Sequence, residues 1–274
     1  MKTAIIAGHG QLPLILGRAL TDRGVPFVFA PVMGAGAEVP AEWAAEPFAV
    51  ERLALFHDRL HELGVTRVVL AGALTRVRLE PEKIDPKTAM LLPRVLPALQ
   101  QGDDALLRTV IALFEEDAFE VTGAETICPD LLPAPGVTGP QPSRQDKADA
   151  ARAADLVALL GQADVGQGAV VAQGQCLALE TLPGTDAMLG WVADVAHARR
   201  PDPKGARGIL YKACKPGQDR RVDLPAIGPD TISNAAAAGL AGVVLEAGGV
   251  MVLDSNDVET RLRDTGLFLW VRQP

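Results

Sequence analysis

Apolar and polar positions along the first half of the chain follow two rhythms. Residues 3–7 form an apolar run of strand length that turns through Gly8-His9-Gly10 into a helical stretch. That stretch has Pro13 in its first turn and Gly24 beyond its end, where those residues are favoured. A second strand is predicted over residues 25–30. Leu53, Phe56, Leu60 and Leu63 then recur at helical spacing, before residues 67–71 supply a third strand. Two more helices are predicted, one from about Pro86 and one from Asp103, the latter with Leu106, Leu107, Val110, Leu113 and Phe114 on one face. Alternation of strands with helices implies a parallel sheet.

The rhythm breaks between Pro129 and Pro142, where five prolines and two glycines fit an extended connection better than a packed element. The predicted organisation is a domain over residues 1–130, a Pro-rich linker over 131–144 and a second domain over 145–274. That second domain opens with an Ala-rich helix from about Asp146, followed by a hairpin over 168–180 turning at Gly174-Gln175. Residues 242–254 echo that hairpin, with glycine in the turn and an acidic residue at the end. The echo reads equally as an internal duplication or as two independent hairpins.

Composition narrows the class. Hydrophobic residues make up 48% of 274 residues but aromatics only 4%, so the core is built from Ala, Val, Leu and Ile, as α/β folds allow. A net charge of −8 argues against a general nucleic-acid binder, so any bound phosphate needs a local cluster of cations. Three scattered cysteines offer neither a zinc pattern nor a disulfide framework and fit a reducing cytoplasm. With no signal-peptide core and no membrane-length apolar run, the expectation is a soluble or peripheral protein.

The densest chemistry follows the apolar run 208–211, where Lys212, Lys215, Asp219, Arg220, Arg221 and Asp223 put six charges into twelve residues. A strand broken by Pro216 and Gly217 delivers its side chains to the sheet rim, where α/β proteins bind ligands. Lys and Arg suit phosphate oxygens, while the carboxylates suit a hard metal ion or a proton from water. The plain alternative is a solvated loop with local ion pairs.

Other candidates are less specific. Gly8-His9-Gly10 aims backbone N–H groups at a helix N-terminus, but Pro13 replaces the third glycine of a dinucleotide fingerprint and no acidic residue ends the second strand. A plain anion site or a structural turn therefore fits better than NAD. The segment from Gly72 through Thr75 and Arg76 leaves the third strand at the same carboxyl edge, where Arg76 reads as a phosphate or uracil contact or as a surface residue. Thr185 or Asp186 is the expected N-cap of a helix running to about residue 198, or part of an anion and magnesium site. Thr231 and Ser233 admit the same two readings. His57 and His61 are predicted on an exposed helix face. No nucleophile motif stands out, so attack by a metal-activated water is the simplest hydrolytic chemistry.

Together the motifs resemble the LpxI family of UDP-2,3-diacylglucosamine pyrophosphatases. The matching segments are Ala7-Gly8-His9-Gly10-Gln11-Leu12-Pro13, Ala71-Gly72-Ala73-Leu74-Thr75-Arg76, Gly102-Asp103-Asp104-Ala105-Leu106-Leu107-Arg108 and Cys128-Pro129-Asp130-Leu131-Leu132. Glu180 with Gly184-Thr185-Asp186-Ala187-Met188 follows, and then the long run from Lys215 through Gly228. A departure is Val77-Arg78, where Arg-Pro is expected.

The resemblance implies an α/β fold with a parallel-sheet, Rossmann-like N-terminal lid domain and a mixed C-terminal catalytic domain, with substrate between them. It implies Mg2+-dependent hydrolysis of UDP-2,3-diacylglucosamine to UMP and 2,3-diacylglucosamine 1-phosphate (lipid X), a step of lipid A synthesis, with water attacking the β-phosphorus. In this chain it implies Asp223 as the essential carboxylate, with Asp219 as its partner toward metal or water. Lys212, Lys215, Arg220 and Arg221 neutralise the phosphates, Gln218 orients, and Thr185 and Asp186 complete the site. Gly10, Gln11, Thr75 and Arg76 contact substrate from the lid. A cytoplasmic enzyme in peripheral contact with the inner membrane follows from the lipid substrate. An acyl pocket is expected to be walled by residues 235–241 and 243–245. The competing readings are a nonenzymatic nucleotide-binding or regulatory module and a nucleotide-sugar transferase.

Overall fold

The computed structural model describes residues 1–74, 79–196 and 199–273, with the side chain of Asp103 left aside. Two compact units form: Met1–Pro129 with Arg221–Asp223, and Asp130–Arg220 with Leu224–Pro274.

The first unit runs β1 (Lys2–Ala7), α1 (Leu12–Asp22), β2 (Phe27–Pro31), α2 (Leu53–Glu62), β3 (Val65–Ala71), α3 (Pro86–Ala89), α4 (Leu92–Gln101), α5 (Asp103–Glu116), β4 (Glu120–Val121) and α6 (Ala124–Ile127). Its sheet is all parallel in the order β2-β1-β3-β4, so the strand order reverses at β1 and the switch point lies between the carboxyl ends of β1 and β3. Leu16 and Leu20 of α1 are buried, and Phe48 stacks on Phe56 with ring centroids 3.8 Å apart. The helix predicted from Pro86 is a single turn. Asp85 caps it, accepting from the N–H groups of Lys87 and Thr88 at 2.9 and 3.1 Å. Pro93 has no N–H to continue that ladder and sits instead in the first turn of the next helix, α4.

The second unit runs β5 (Gly136–Thr138), α7 (Arg144–Gln162), β6 (Gly168–Ala172), β7 (Gln175–Leu179), α8 (Gly184–Trp191), β8 (Ile209–Lys212), β9 (Ala226–Ile227), α9 (Pro229–Ala237), β10 (Gly242–Glu246), β11 (Met251–Val252), α10 (Ser255–Thr265) and β12 (Phe268–Arg272). Its mixed six-stranded sheet has the order β5-β12-β10-β8-β6-β7, with β8, β10 and β12 parallel and the outer strands antiparallel to their neighbours. Alternate residues serve opposite faces. Val170, Leu210, Val243 and Leu245 meet α8, α9 and α10, whereas Ala169, Ile209, Tyr211 and Val244 meet α7.

Three expectations change. Residues 136–138, read as plain connection, pair antiparallel with β12 as an edge strand, where the neighbouring prolines cost no ladder hydrogen bonds. The second hairpin does not form: β10 is flanked on both edges by β8 and β12, so the chain after it moves away and β11 pairs in parallel with β9. That removes the structural basis for a duplication. The expected acyl-pocket wall is packed core, since Ala235, Val243, Val244 and Leu245 are fully buried. No helix among the described residues is long and apolar enough to cross a membrane.

Candidate functional site

In the first unit the loops leaving β1 and β3 meet at the switch point. The Gly8 N–H donates to the Ala71 carbonyl, and His9 and Ala73 exchange two backbone hydrogen bonds, each of 2.8 Å. Approach is so close that a Cβ on Gly8 would stand 2.4 Å from the Ala73 carbonyl oxygen. Gly10 and Gln11 follow, exposed, at the start of α1, whose first turn has no side-chain cap. Thr75, Arg76, Val77 and Arg78 lie outside the described residues, as does His197.

The charged stretch divides. Lys212 ends β8, and Lys215-Pro216-Gly217-Gln218 makes a turn, with the Gln218 N–H donating to the Lys215 carbonyl at 3.3 Å and Gly217 at φ 77°. Proline second and a positive-φ glycine third are what a type II turn requires. The Gln218 side chain closes the turn by accepting from the Lys215 N–H at 3.0 Å. Lys215 pairs with Asp164 at 2.7 Å, and Arg220 with Glu246 at 3.4 Å. Asp219 is half-buried in the same unit. Arg221–Asp223 group with the first unit, where Arg221 pairs with Glu115 at 2.6 Å, Val222 packs on the core and Asp223 is half-buried.

Lys212 sits differently from the other cations. It is 4% exposed and lies on the α8 side of the sheet, with its ammonium donating to Thr185 Oγ1 and 3.5 Å from Glu180 Oε1. Burial draws its pKa down from the usual lysine range, against the upward pull of Glu180 and Asp186. Glu180, 6% exposed, reaches this place because the hairpin register sets its backbone N–H on the Gly168 carbonyl at 2.8 Å. The bare Gly168 leaves room for the carboxylate, since a Cβ there would stand 2.3 Å from Glu180 Oε2. That Oε2 is buried without a hydrogen-bond partner among the described residues.

Thr185 and Asp186 are not caps. Pro183 occupies the N-cap position of α8, with no side-chain hydrogen bond, and both residues lie in the first turn. Thr185 faces Lys212, and Asp186 accepts from Asn234 Nδ2 at 2.9 Å. The helix continues as a π-helical segment, Val192–Ala196. Thr231 and Ser233 bond locally in α9, Thr231 Oγ1 accepting from the Gly228 N–H and Ser233 Oγ donating to the Pro229 carbonyl. The expected exposed histidine face is half wrong: His57 is 4% exposed, tilted against Phe114 with ring centroids 4.4 Å apart, and its Nδ1 lies 3.0 Å from Asp117 Oδ2, while His61 is exposed. Phe114 and Phe119, distant in sequence, enclose it.

Thus Lys212, Thr185 and Asp186 come together from separate elements, joined by Glu180 and Asn234, to which the sequence reading gives no role. Glu180 leaves a trace as the acidic end of a strand within a matching segment. Asn234 leaves none.

Residues 2–131 match the profile of the LpxI N-terminal domain and residues 133–270 that of the LpxI C-terminal domain. The chain is 36% identical over 269 residues to UDP-2,3-diacylglucosamine pyrophosphatase LpxI of Caulobacter vibrioides, covering 98% of this chain and 96% of that protein. Among solved structures, UDP-glucose 4-epimerase of Thermus thermophilus in complex with NAD aligns over 100% of this chain and 87% of its own at 14% identity. The TM-score of 0.31 is too low for that likeness to bear on fold or ligand. On two domain matches that span nearly its whole length and a full-length relative, the chain belongs to the LpxI family.

Proposed function

We propose that this protein hydrolyses the pyrophosphate bond of UDP-2,3-diacylglucosamine, with water attacking the β-phosphorus to give 2,3-diacylglucosamine 1-phosphate and UMP. The observation that carries this reading is the 36% identity to a pyrophosphatase of that name across 98% of the chain. The cation-rich sequence after β8 supports it, because Lys and Arg are the side chains that bind phosphate oxygens.

In this reading Asp223 orients the attacking water and accepts its proton, with Asp219 beside it in role. Lys215, Arg220 and Arg221 neutralise phosphate oxygens. Each is paired with a carboxylate in the structure, Lys215 with Asp164, Arg220 with Glu246 and Arg221 with Glu115. Gln218 keeps the Lys215 turn closed, and Thr185 and Asp186 present oxygen groups from α8. The same reading gives Gly10, Gln11, Thr75 and Arg76 contacts with the substrate.

No group of three or more His, Cys, Asp or Glu side chains among the described residues forms a metal cage. Magnesium asks for less: one or two carboxylates, with water and phosphate oxygens completing its shell. In this reading Asp223, with Asp219, would hold it. When bound, the ion supplies positive charge to the phosphate oxygens and makes a bound water more acidic. In this reading the protein works in the cytoplasm and meets its lipid substrate by peripheral contact with the inner membrane.

The test is hydrolysis of UDP-2,3-diacylglucosamine in ¹⁸O-labelled water with magnesium, with and without chelator. Label in the acylated sugar phosphate is expected. Label in UMP would overturn attack at the β-phosphorus, and absence of turnover by folded protein would favour a nucleotide-binding module.

A further inference from the structure

We propose that Glu180 and Lys212 are positioning residues that act through Thr185: the buried carboxylate–ammonium pair commits the Thr185 oxygen to accepting, which leaves its hydroxyl proton for an oxygen of a bound phosphate. This rests on the reading of the substrate as a phosphoanhydride.

A hydroxyl both donates and accepts, whereas an ammonium group only donates. With Lys212 Nζ bonded to Thr185 Oγ1, the ammonium form of Lys212, paired with Glu180, makes that oxygen the acceptor. Thr185 is half-buried in the first turn of α8, and among the described residues the bond from Lys212 is the one its hydroxyl makes, so its proton has no acceptor there. Lys212 itself is buried, which suits holding Thr185 better than touching a phosphate. The pair is also built from behind. Gly168 pairs directly with Lys212 across the β6–β8 ladder and is bare where Glu180 lies against it.

The charges around Lys212 leave the assignment to this pair. Glu180 follows β7 and Asp186 stands on α8. On neighbouring elements, Glu246 of β10 pairs with Arg220, and Asp164 beyond α7 pairs with Lys215. Desolvation of Lys212 is opposed chiefly by Glu180.

A double-mutant cycle tests this. Thr185→Val, Lys212→Met and the double variant are assayed for kcat and KM on UDP-2,3-diacylglucosamine, and by calorimetry for binding of inorganic pyrophosphate with magnesium. Each single change is expected to cost ~10–100-fold in kcat/KM, with the double variant no worse than the weaker single one. Thr185→Ser is expected to stay within about three-fold of wild type. Independent, multiplying losses would mean that Lys212 acts on its own and would overturn the inference, as would full activity in Thr185→Val. Should Lys212→Met fail to fold, Glu180→Gln takes its place in the cycle, and its kcat/KM is expected to fall at lower pH than wild type as Lys212 loses its proton sooner. An unmoved basic limb would count against the pair. The calorimetric arm separates the two readings. Wild type that binds pyrophosphate with the same non-additivity but turns nothing over keeps the inference and rejects the hydrolase. Wild type that hydrolyses while the cycle is additive does the reverse. Neither turnover nor binding rejects both.

Discussion

Replacing Asp149 by asparagine exchanges one oxygen for an NH2 group at almost constant volume, in a place where the structure leaves no room for error. Asp149 is 0% exposed on α7, and its carboxylate accepts three N–H groups: Gly174 N at 2.7 Å and Gln145 Nε2 at 2.9 Å on Oδ1, and Gln173 N at 2.9 Å on Oδ2. The first and third of these belong to the two-residue turn between β6 and β7, where Gln173 and Gly174 have φ of 54° and 78°. A side chain at such φ is disfavoured by about 1–2 kcal/mol and persists only where its surroundings over-determine it. Here Asp149 takes both turn N–H groups. The Gln173 side chain adds bonds to Asp202 N, Asp202 O and Ala206 O.

Asparagine keeps one acceptor oxygen. In its better orientation that oxygen serves Gly174 and Gln145, while the amide nitrogen meets the Gln173 N–H donor to donor. One charge-assisted hydrogen bond is lost and two buried donors are left unpaired, a cost of about 2–4 kcal/mol. At roughly 3 °C per kcal/mol, the second unit is expected to melt about 6–12 °C lower. Amide exchange at Gln173 and Gly174 should accelerate more than at β10. Because this turn fixes the register that carries Glu180 to Gly168 and Lys212, turnover should fall as well. A melting shift under about 1 °C with both turn amides still protected would refute the account.

Asp223→Ala is expected to abolish turnover while leaving substrate binding measurable by calorimetry, and near-normal turnover would remove Asp223 from its assigned role. Burial lowers the His57 pKa from 6.5, against the pull of Asp117, so the unfolded chain takes up a proton there before the folded one does. Its contribution to stability is therefore present above pH 6.5 and lost as pH falls toward the folded pKa, and His57→Gln should show a smaller drop in melting temperature between pH 7.5 and 5.5 than wild type. Gly8→Ala drives a Cβ to 2.4 Å from the Ala73 carbonyl oxygen and must part the His9–Ala73 pairing. It should cost the first unit about 2–4 kcal/mol in urea unfolding, and a cost below about 0.5 kcal/mol would mean the two loops separate freely.

What the sequence discloses here follows from how far apart the deciding residues lie. β1, α1, β3, α7 and the β6–β7 hairpin are legible because their signals sit within a dozen or so residues: an apolar run, a helical stripe, a glycine turn. β10 and β11 defeat the same reasoning. Locally they spell a hairpin, yet β8 and β12 take both edges of β10, and that competition is settled by the topology of the whole sheet. His57 reads as surface beside Asp58 and His61 until Phe114 and Phe119 close over it. The candidate site obeys the same rule. Lys212 looks like one more cation in a charged loop, but it is the last residue of β8, and its burial depends on Gly168 lacking a side chain and on Glu180 arriving from the end of the hairpin. Charge density along the chain therefore locates the loop without ranking its members. A cation at the surface is free to trade one anion for another, whereas one sealed beneath a helix with its carboxylate is committed, and its influence on chemistry runs through the group it holds.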